Sequence, residues 1–221
     1  MKVVITGASG MVGKGVLLEC LDHNDISEVL SIGRKSLGMN HPKLKELIHK
    51  DFSEFDSVKD ELKGYDACFH SMGVSSASFG KEDYFKMTYG YTLTLAKTML
   101  NVNPESTFIY VSGQGTDSNE KGKGWAAVKG KTENDILGLG FKQAFMFRPG
   151  GIIPIKGAEP SSKLYKRMIK GLSWLLKFMK AIAPNHIVDT AQIGSAMINI
   201  SQKGYSKHII DPKDILALSK A

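Results

Sequence analysis

Short apolar segments alternate along this sequence with longer segments of helical periodicity, and this alternation constrains the fold more than any other feature. Apolar runs predict strands at 2–6, 29–32, 47–52, 66–71, 107–112, 143–147 and 205–210. Helical patterns occupy 11–22, 82–100, 124–138, 161–181 and 190–201, and Pro212 can begin a last short helix. Strands joined through helices form right-handed βαβ units. The sequence therefore predicts an α/β fold in which a doubly wound parallel sheet carries helices on both faces.

A glycine-rich segment, TGASGMVG, joins the first predicted strand to the first predicted helix. Gly7 permits a tight turn, Gly10 lets a diphosphate approach the backbone, and Gly13 allows close packing of the helix on the sheet. The start of the helix then offers unpaired N–H groups to phosphate, and Thr6 and Ser9 can add hydroxyl donors. This context predicts a dinucleotide-binding turn, although a glycine turn without a ligand has the same pattern.

The end of the second predicted strand bears on the choice of dinucleotide. A site that prefers NAD places an acidic residue there, about 20 residues after the glycines, to bind the ribose hydroxyls. Here Arg34 and Lys35 follow that strand without a carboxylate. Two adjacent cations suit a 2′-phosphate through charge-assisted hydrogen bonds, whereas a solvated basic turn is the alternative. The sequence favours NADP, with NAD as the less favoured cofactor.

Four further segments accompany the glycine turn in a resemblance that covers nearly the whole chain. They are MGVSSAS at 72–78, YVSGQGTDS at 110–118, WAAVKGKTEN at 125–134 and FRPGGIIP at 147–154. With them the chain resembles atypical and extended members of the short-chain dehydrogenase/reductase superfamily. It is most similar to the Tat-interacting-protein family and to bacterial NAD(P)-dependent epimerases and oxidoreductases. The resemblance implies one Rossmann-like NAD(P)-binding domain over 1–221, with about 150–190 forming a small C-terminal cap on the substrate side.

The resemblance also implies a set of residues that contact the cofactor. The diphosphate would be lined by Gly7, Ser9, Gly10, Met11 and Val12. Arg34 would meet the adenosine phosphate and Asp51 with Phe52 the adenine, while Ser71, Met72 and Gly73 would run beside the ribose. Arg148, Pro149 and Gly150 would pass near the nicotinamide, and Lys129 would bind the nicotinamide ribose.

Two members of the superfamily's Ser–Tyr–Lys triad have counterparts here, Ser112 and Lys129, but Trp125 stands where the tyrosine belongs. The YxxxK spacing puts tyrosine and lysine one helical turn apart, so that the phenol exchanges a proton with the substrate. An indole N–H donates a hydrogen bond but is no acid near neutral pH. Another group could supply the proton (Tyr84, Tyr89, Tyr91 and Tyr110 are present), water or substrate could manage it, or the protein could bind cofactor without turnover.

The charge pattern leaves several partners open. The net charge is +7, and the pattern at 163–181 is that of a basic amphipathic helix. Such a helix packs on a core or a second copy, attracts an anionic substrate, or lies on an acidic membrane. Nucleic-acid binding is not expected, because no recognition motif accompanies the charge.

Composition also bears on the cellular location, the metal content and the partners of the protein. Cys20 and Cys68 fall in apolar patterns and are expected to be buried thiols. The histidines lack metal-ligand spacing, so no metal is expected. No export signal or membrane-spanning stretch is evident, and we expect a cytoplasmic protein that acts on a small molecule. A homodimer is one possible assembly, but the sequence does not give the oligomeric state. Three hypotheses remain open: an NADP-dependent oxidoreductase or epimerase-like enzyme, a non-catalytic cofactor-binding regulator or scaffold, and a peripheral membrane protein.

Overall fold

A seven-stranded parallel sheet lies at the centre of the part of the chain that the computed structural model describes, residues 1–155, 157–158 and 186–221. Its strands, in chain order, are β1 (Lys2–Thr6), β2 (Glu28–Gly33), β3 (Leu44–Ile48), β4 (Ala67–His70), β5 (Thr107–Val111), β6 (Gln143–Phe147) and β9 (Ile209–Ile210). Two short strands, β7 (Gly151–Ile153) and β8 (Ile187–Asp189), form a separate parallel pair. The predicted basic helix at 163–181 and most of the predicted cap at 150–190 lie outside the described residues.

Six described helices connect and cover these strands. They are α1 (Met11–Asp22), α2 (Lys81–Phe85), α3 (Tyr91–Val102), α4 (Trp125–Gly138), α5 (Thr190–Lys203) and α6 (Pro212–Leu218). A π-helical turn at Lys86–Gly90 joins α2 to α3, and a 3-10 helix covers Asp56–Leu62. Within the described residues, no helix combines the length and the apolar character needed to cross a bilayer.

The strand order is β3-β2-β1-β4-β5-β6-β9. All described pairings in this sheet are parallel, with Val4 opposite Leu30 on one side and Cys68 on the other. The order of the doubly wound fold reverses between β1 and β4, and ligands of such sheets bind at the carboxyl ends of the strands beside that reversal. The predicted doubly wound Rossmann-like fold is confirmed.

Alternate residues of each strand supply the two halves of the core. Val3, Ile5 and Phe69 pack with α1, α5 and α6 on one face. Val4 and Cys68 pack with α3 and α4 on the other face. Side chains of a strand point alternately to its two faces, so strands buried on both sides are apolar throughout. Cys20 and Cys68 are free thiols, and both are buried.

The third strand differs most from its sequence-based expectation. It begins at Leu44 and ends at Ile48, so Asp51 and Phe52 lie in the turn beyond it. The Asp51 carboxylate accepts hydrogen bonds from the Ser53 amide (2.9 Å) and the Ser53 hydroxyl (2.5 Å). An aspartate that binds the backbone two residues ahead stabilises a turn, which ends the extended segment.

Candidate functional site

The glycine turn lies where β1 meets α1, beside the reversal of strand order. Gly7 has a φ of +76°, and a Cβ there would lie 2.6 Å from the carbonyl carbon of Ser71. A Cβ at Gly13 would lie 2.2 Å from the Gly7 oxygen. At Gly10, by contrast, a Cβ would meet that oxygen alone among the described atoms, at 3.3 Å. Gly7 and Gly13 are therefore required by the packing of the turn itself, whereas Gly10 keeps space open beside it.

The start of α1 supplies backbone donors next to that open space. The Lys14 amide donates to the Gly10 oxygen at 2.8 Å, so the amides of Met11, Val12 and Gly13 precede the regular bonds of the helix. No hydrogen bond from a described side chain caps this helix, and its first turn has no acidic residue. Such a helix terminus carries a partial positive charge and binds anions.

Two adjoining cavities, of about 730 and 300 Å³, extend from the glycine turn over the ends of β2 and β4. Both are lined by Gly7, Ser9, Arg34, Lys50, Phe52 and Met72. The larger also contacts Lys35, and the smaller also contacts Gly10, Ser71 and Gly73. Nine of the residues expected to contact a cofactor thus surround one continuous cleft.

The charge of this cleft has a single sign. Its charged lining residues are Arg34, Lys35 and Lys50, and among the described residues no carboxylate lines either cavity. All three cations are exposed. Glu46 on β3 does not line either cavity, and its carboxylate accepts hydrogen bonds from the Ser36 hydroxyl (2.7 Å) and the Leu37 amide (2.6 Å), two residues that line the larger one. The backbone cradle and this charge together fit an anionic dinucleotide.

Among the described residues, Lys50 is the one cation of the cleft that the sequence reasoning missed. It follows β3 as Arg34 follows β2, and this shared position after a strand is the signal that could have identified it. Asp51, which was expected to contact adenine, is exposed and does not line either cavity; its hydrogen bonds to Ser53 lower the pKa of its carboxyl group. Phe52 lines both cavities, with its ring centroid 6.3 Å from that of Tyr91.

A second group of polar residues lies past the end of β5 and is arranged quite differently. The Ser112 hydroxyl donates to the Glu133 carboxylate and contacts the Phe147 carbonyl oxygen at 3.2 Å. Glu133 is fully buried. The Arg148 Nε donates to both carboxylate oxygens of Glu133, at 3.0 and 3.2 Å, and these bonds raise the pKa of Arg148. Ser112 is therefore held in a closed hydrogen-bonded cluster with Glu133 and Arg148.

Lys129 joins this group through the backbone. Its ammonium donates to the carbonyl oxygen of Ser112. Burial lowers the pKa of Lys129 to about 8, and the Glu133 carboxylate partly opposes that shift. The structure thus brings Ser112 and Lys129 together. Trp125 begins α4 with 39% of its surface exposed, and a Cβ at Gly115 would lie 3.4 Å from its ring.

The segment after β6 holds the loop after β5 in place. The Pro149 carbonyl oxygen accepts a hydrogen bond from the Gln114 amide at 3.0 Å. A Cβ at Gly150 would lie 2.6 Å from the Gln114 side-chain oxygen, and Arg148 donates to the Ser118 hydroxyl at 2.5 Å. Arg148, Pro149 and Gly150 therefore brace this loop, and none of them lines the two cavities.

Of the four tyrosines that could replace the missing phenol, Tyr91 alone lines a cavity of this cleft. Tyr110 is fully buried, and burial raises its pKa. Tyr84 is also buried, with a raised pKa for the same reason. The Tyr89 hydroxyl donates to Asp135 at 2.6 Å.

His70, at the end of β4, is a further buried group that the sequence reasoning did not single out. Its ring nitrogens contact the Thr6 hydroxyl (2.7 Å) and the Thr92 hydroxyl (2.9 Å), so Thr6 is engaged inside the protein. Burial and, to a smaller extent, the charge of Lys129 lower the pKa of His70 to about 3. His70 is therefore neutral at physiological pH and serves the packing beneath the cleft.

The parallel sheet, the glycine turn at its reversal point and the cleft beside it define a Rossmann-type nucleotide-binding protein. Residues 3–123 match the NAD dependent epimerase/dehydratase family, and the chain belongs to that family. This membership supports the expectation of a nicotinamide dinucleotide cofactor.

Known proteins resemble this chain over most of its length. Protein FMP52-1, mitochondrial, from Scheffersomyces stipitis is 25% identical over 94% of this chain and 91% of its own. Protein HTATIP2 from Rattus norvegicus is 26% identical over 99% of this chain and 89% of its own. A solved variant of UDP-glucuronic acid 4-epimerase from Bacillus cereus, with NAD bound, has a TM-score of 0.68 at 14% identity, covering 100% of this chain and 82% of that one.

These relatives confirm one expectation and overturn another. The resemblance to the Tat-interacting-protein family and to epimerases of the short-chain dehydrogenase/reductase superfamily is confirmed. The expected cytoplasmic location is wrong, because the FMP52 relatives are named mitochondrial. A low cysteine content indicates a reducing compartment but does not distinguish one such compartment from another.

Proposed function

We propose that this protein binds NADP(H) and acts as an oxidoreductase or an epimerase-like enzyme on a small-molecule substrate. The charge of the cleft is the observation that supports a preference for NADP. Three cations line the cleft, and no carboxylate of the described chain does. A site for NAD uses a carboxylate to accept hydrogen bonds from the ribose hydroxyls, and such a group would repel a 2′-phosphate. Arg34 and Lys35 supply the 2′-phosphate with charge-assisted hydrogen bonds.

The backbone of the glycine turn holds the diphosphate in this proposal. The amides of Met11, Val12 and Gly13 donate to its oxygens, and Gly10 leaves the space that it occupies. Phe52 and Met72 present apolar surface to the adenosine. The nicotinamide ring, when bound, supplies a hydride donor or acceptor. Lys129 extends from α4 to the residue that follows β5, and its ammonium can bind a ribose hydroxyl once it leaves the Ser112 carbonyl oxygen.

Proton transfer requires a route other than the usual phenol. Trp125 carries no acidic proton near neutral pH. The Ser112 hydroxyl donates to Glu133, so its oxygen is left to accept rather than donate hydrogen bonds. A substrate oxygen would then exchange its proton with Lys129 or with water. Losing a positioned acid costs about 10²–10⁴-fold in rate, which slows hydride transfer without abolishing it.

The occupied Ser112 hydroxyl favours a second candidate, a cofactor-binding regulator or scaffold without turnover. Turnover separates the two: NADPH oxidation over a panel of carbonyl compounds, lost in Lys129→Ala, supports the enzyme. No oxidation by the wild type, together with oxidation by Trp125→Tyr, supports the regulator.

Arg34→Ala tests the cofactor preference. Wild-type protein should bind NADPH at least about tenfold more tightly than NADH, since hydrogen bonds to charged groups contribute about 1.5–3 kcal/mol each. The variant should lose most of that difference by weakening NADPH binding alone, as measured by calorimetry. Equal wild-type affinities for the two cofactors would refute the preference for NADP.

A further inference from the structure

We propose that Lys50 is a second determinant of NADP specificity, which binds the 2′-phosphate from the β3 side while Arg34 binds it from the β2 side. This inference rests on the proposed function and adds a residue that the family resemblance does not assign.

The pairing of β2 with β3 brings Arg34 and Lys50 to the same end of the sheet. Gly33 at the end of β2 is in register with Ile48 at the end of β3. The His49 amide then donates to the Gly33 carbonyl oxygen at 3.0 Å, which extends the pairing by one residue. Arg34 and Lys50 each follow directly, so both cations leave the same carboxyl edge from neighbouring strands, which in sheets lie about 4.8 Å apart. Both side chains line the larger and the smaller cavity.

The residues on either side of Lys50 are held in place by their contacts, and this fixes the backbone position from which the Lys50 side chain extends. The His49 ring is buried, with Nε2 2.7 Å from the Glu54 carbonyl oxygen and its centroid 4.8 Å from that of Phe55. Phe52 packs edge-on against Phe55 at 5.5 Å. Lys50 thus extends from a rigid turn, and only its own side chain has to be ordered when a ligand binds.

No described carboxylate competes for Lys50 inside the cleft. Its neighbour Asp51 points its carboxylate at Ser53, and Glu46 binds the turn at Ser36 and Leu37. Arg34 and Lys50 divide the recognition by their chemistry: a guanidinium forms a planar fork that grips two phosphate oxygens, whereas an ammonium is a compact point charge. Two cations on opposite sides of a doubly charged 2′-phosphate neutralise its charge. An uncharged ribose hydroxyl gains little binding energy from either cation.

Calorimetry with two ligands that differ only in the 2′-phosphate tests this role. Adenosine 2′,5′-bisphosphate and adenosine 5′-monophosphate are titrated into wild type, Lys50→Met, Lys50→Arg and Lys59→Met. Lys59 is an exposed lysine of the 3-10 helix outside both cavities, so its variant controls for net charge. Lys50→Met should weaken binding of the bisphosphate about tenfold or more and of the monophosphate less than about twofold. Lys50→Arg should restore most of the difference, and Lys59→Met should resemble wild type.

Three results would overturn this role for Lys50, and they differ from failure of the proposed function. If Lys50→Met keeps its affinity for the bisphosphate while Arg34→Ala loses it, Lys50 does not bind the 2′-phosphate, but the preference for NADP still holds. Equal weakening of both ligands would place Lys50 at the 5′-phosphate instead. Wild-type protein that does not distinguish the two ligands contradicts the preference for NADP itself, and the Lys50 role with it. The thermal unfolding midpoint of each variant should stay near that of wild type, because Lys50 is exposed and outside the core.

Discussion

The two ends of the carboxyl edge of the sheet carry similar numbers of charged groups but use them in opposite ways. At the β2–β3 end, Arg34, Lys35 and Lys50 are exposed around a cleft without a described carboxylate. At the β5–α4 end, Arg148 and Ser112 both donate hydrogen bonds to Glu133, which has no exposed surface. The first region keeps its charges available to a ligand, whereas the second region satisfies them within the protein.

This difference teaches which part of the site binds and which part supports. A buried carboxylate is tolerated because its partners compensate for the loss of hydration. Exposed cations at the cleft need no such compensation, since water solvates them until an anion arrives. Sequence motifs mark Ser112, Lys129 and Arg148 as functional, but in the structure Ser112 and Arg148 primarily hold the loop after β5 and the start of the following segment.

Glu133→Ala is the strongest test of this division. Removing one partner of a buried ion pair leaves Arg148 uncompensated and should lower the free energy of unfolding by about 3–5 kcal/mol. Glu105→Ala is the matched control, because Glu105 pairs with Lys142 at 2.8 Å on the surface, where such a pair contributes about 0–1 kcal/mol. Denaturant unfolding measures both variants. A loss below about 1 kcal/mol for Glu133→Ala would show that the cluster is not structural.

Gly10→Val tests the binding end with little effect on the fold. The added side chain starts from a φ of −87° and ψ of 167°, which valine adopts, but it fills the space kept for a diphosphate. NADPH affinity should fall by about 100-fold, or nearly 3 kcal/mol. The unfolding midpoint should fall only slightly, because the added Cβ lies 3.3 Å from the Gly7 oxygen. Gly80→Val is the control, since Gly80 occupies the same N-cap position of α2 and a Cβ there meets no atom of the described residues within 4 Å. Undiminished affinity in Gly10→Val would mean that the diphosphate binds elsewhere.

The pH dependence of stability sharpens the comparison at Lys129. Burial lowers the pKa of Lys129 from 10.5 to about 8 in the folded protein, so between these values the unfolded chain binds more protons. Stability therefore rises with pH across that window, whereas below pH 8 the full cost of the buried charge remains. Wild type should gain about 1–2 kcal/mol relative to Lys129→Met between pH 7 and pH 9.5, as measured by denaturant unfolding. Parallel pH profiles for the two proteins would indicate that Lys129 is solvated.

Much of the fold could be predicted from local patterns. The helices at 11–22 and 190–203 and the strands at 2–6 and 143–147 agree with the structure to within two residues. The last strand was predicted over 205–210, but only Ile209 and Ile210 pair with β6. The short β7–β8 pair was missed, because its two strands are 33 residues apart in the chain and three residues carry no reliable periodicity.

The order of strands and helices and the glycine turn at Gly7–Gly13 were determined by the sequence alone, because periodicity and the steric demands of a tight turn involve neighbours along the chain. Only the tertiary structure decided that Lys50 lines the same cavities as Arg34 and that Glu133 accepts the hydroxyl hydrogen bond of Ser112. The residues of these two pairs are 16 and 21 positions apart in the chain. Strand pairing and burial create them, and both depend on what the folded chain brings together rather than on what adjoins in sequence.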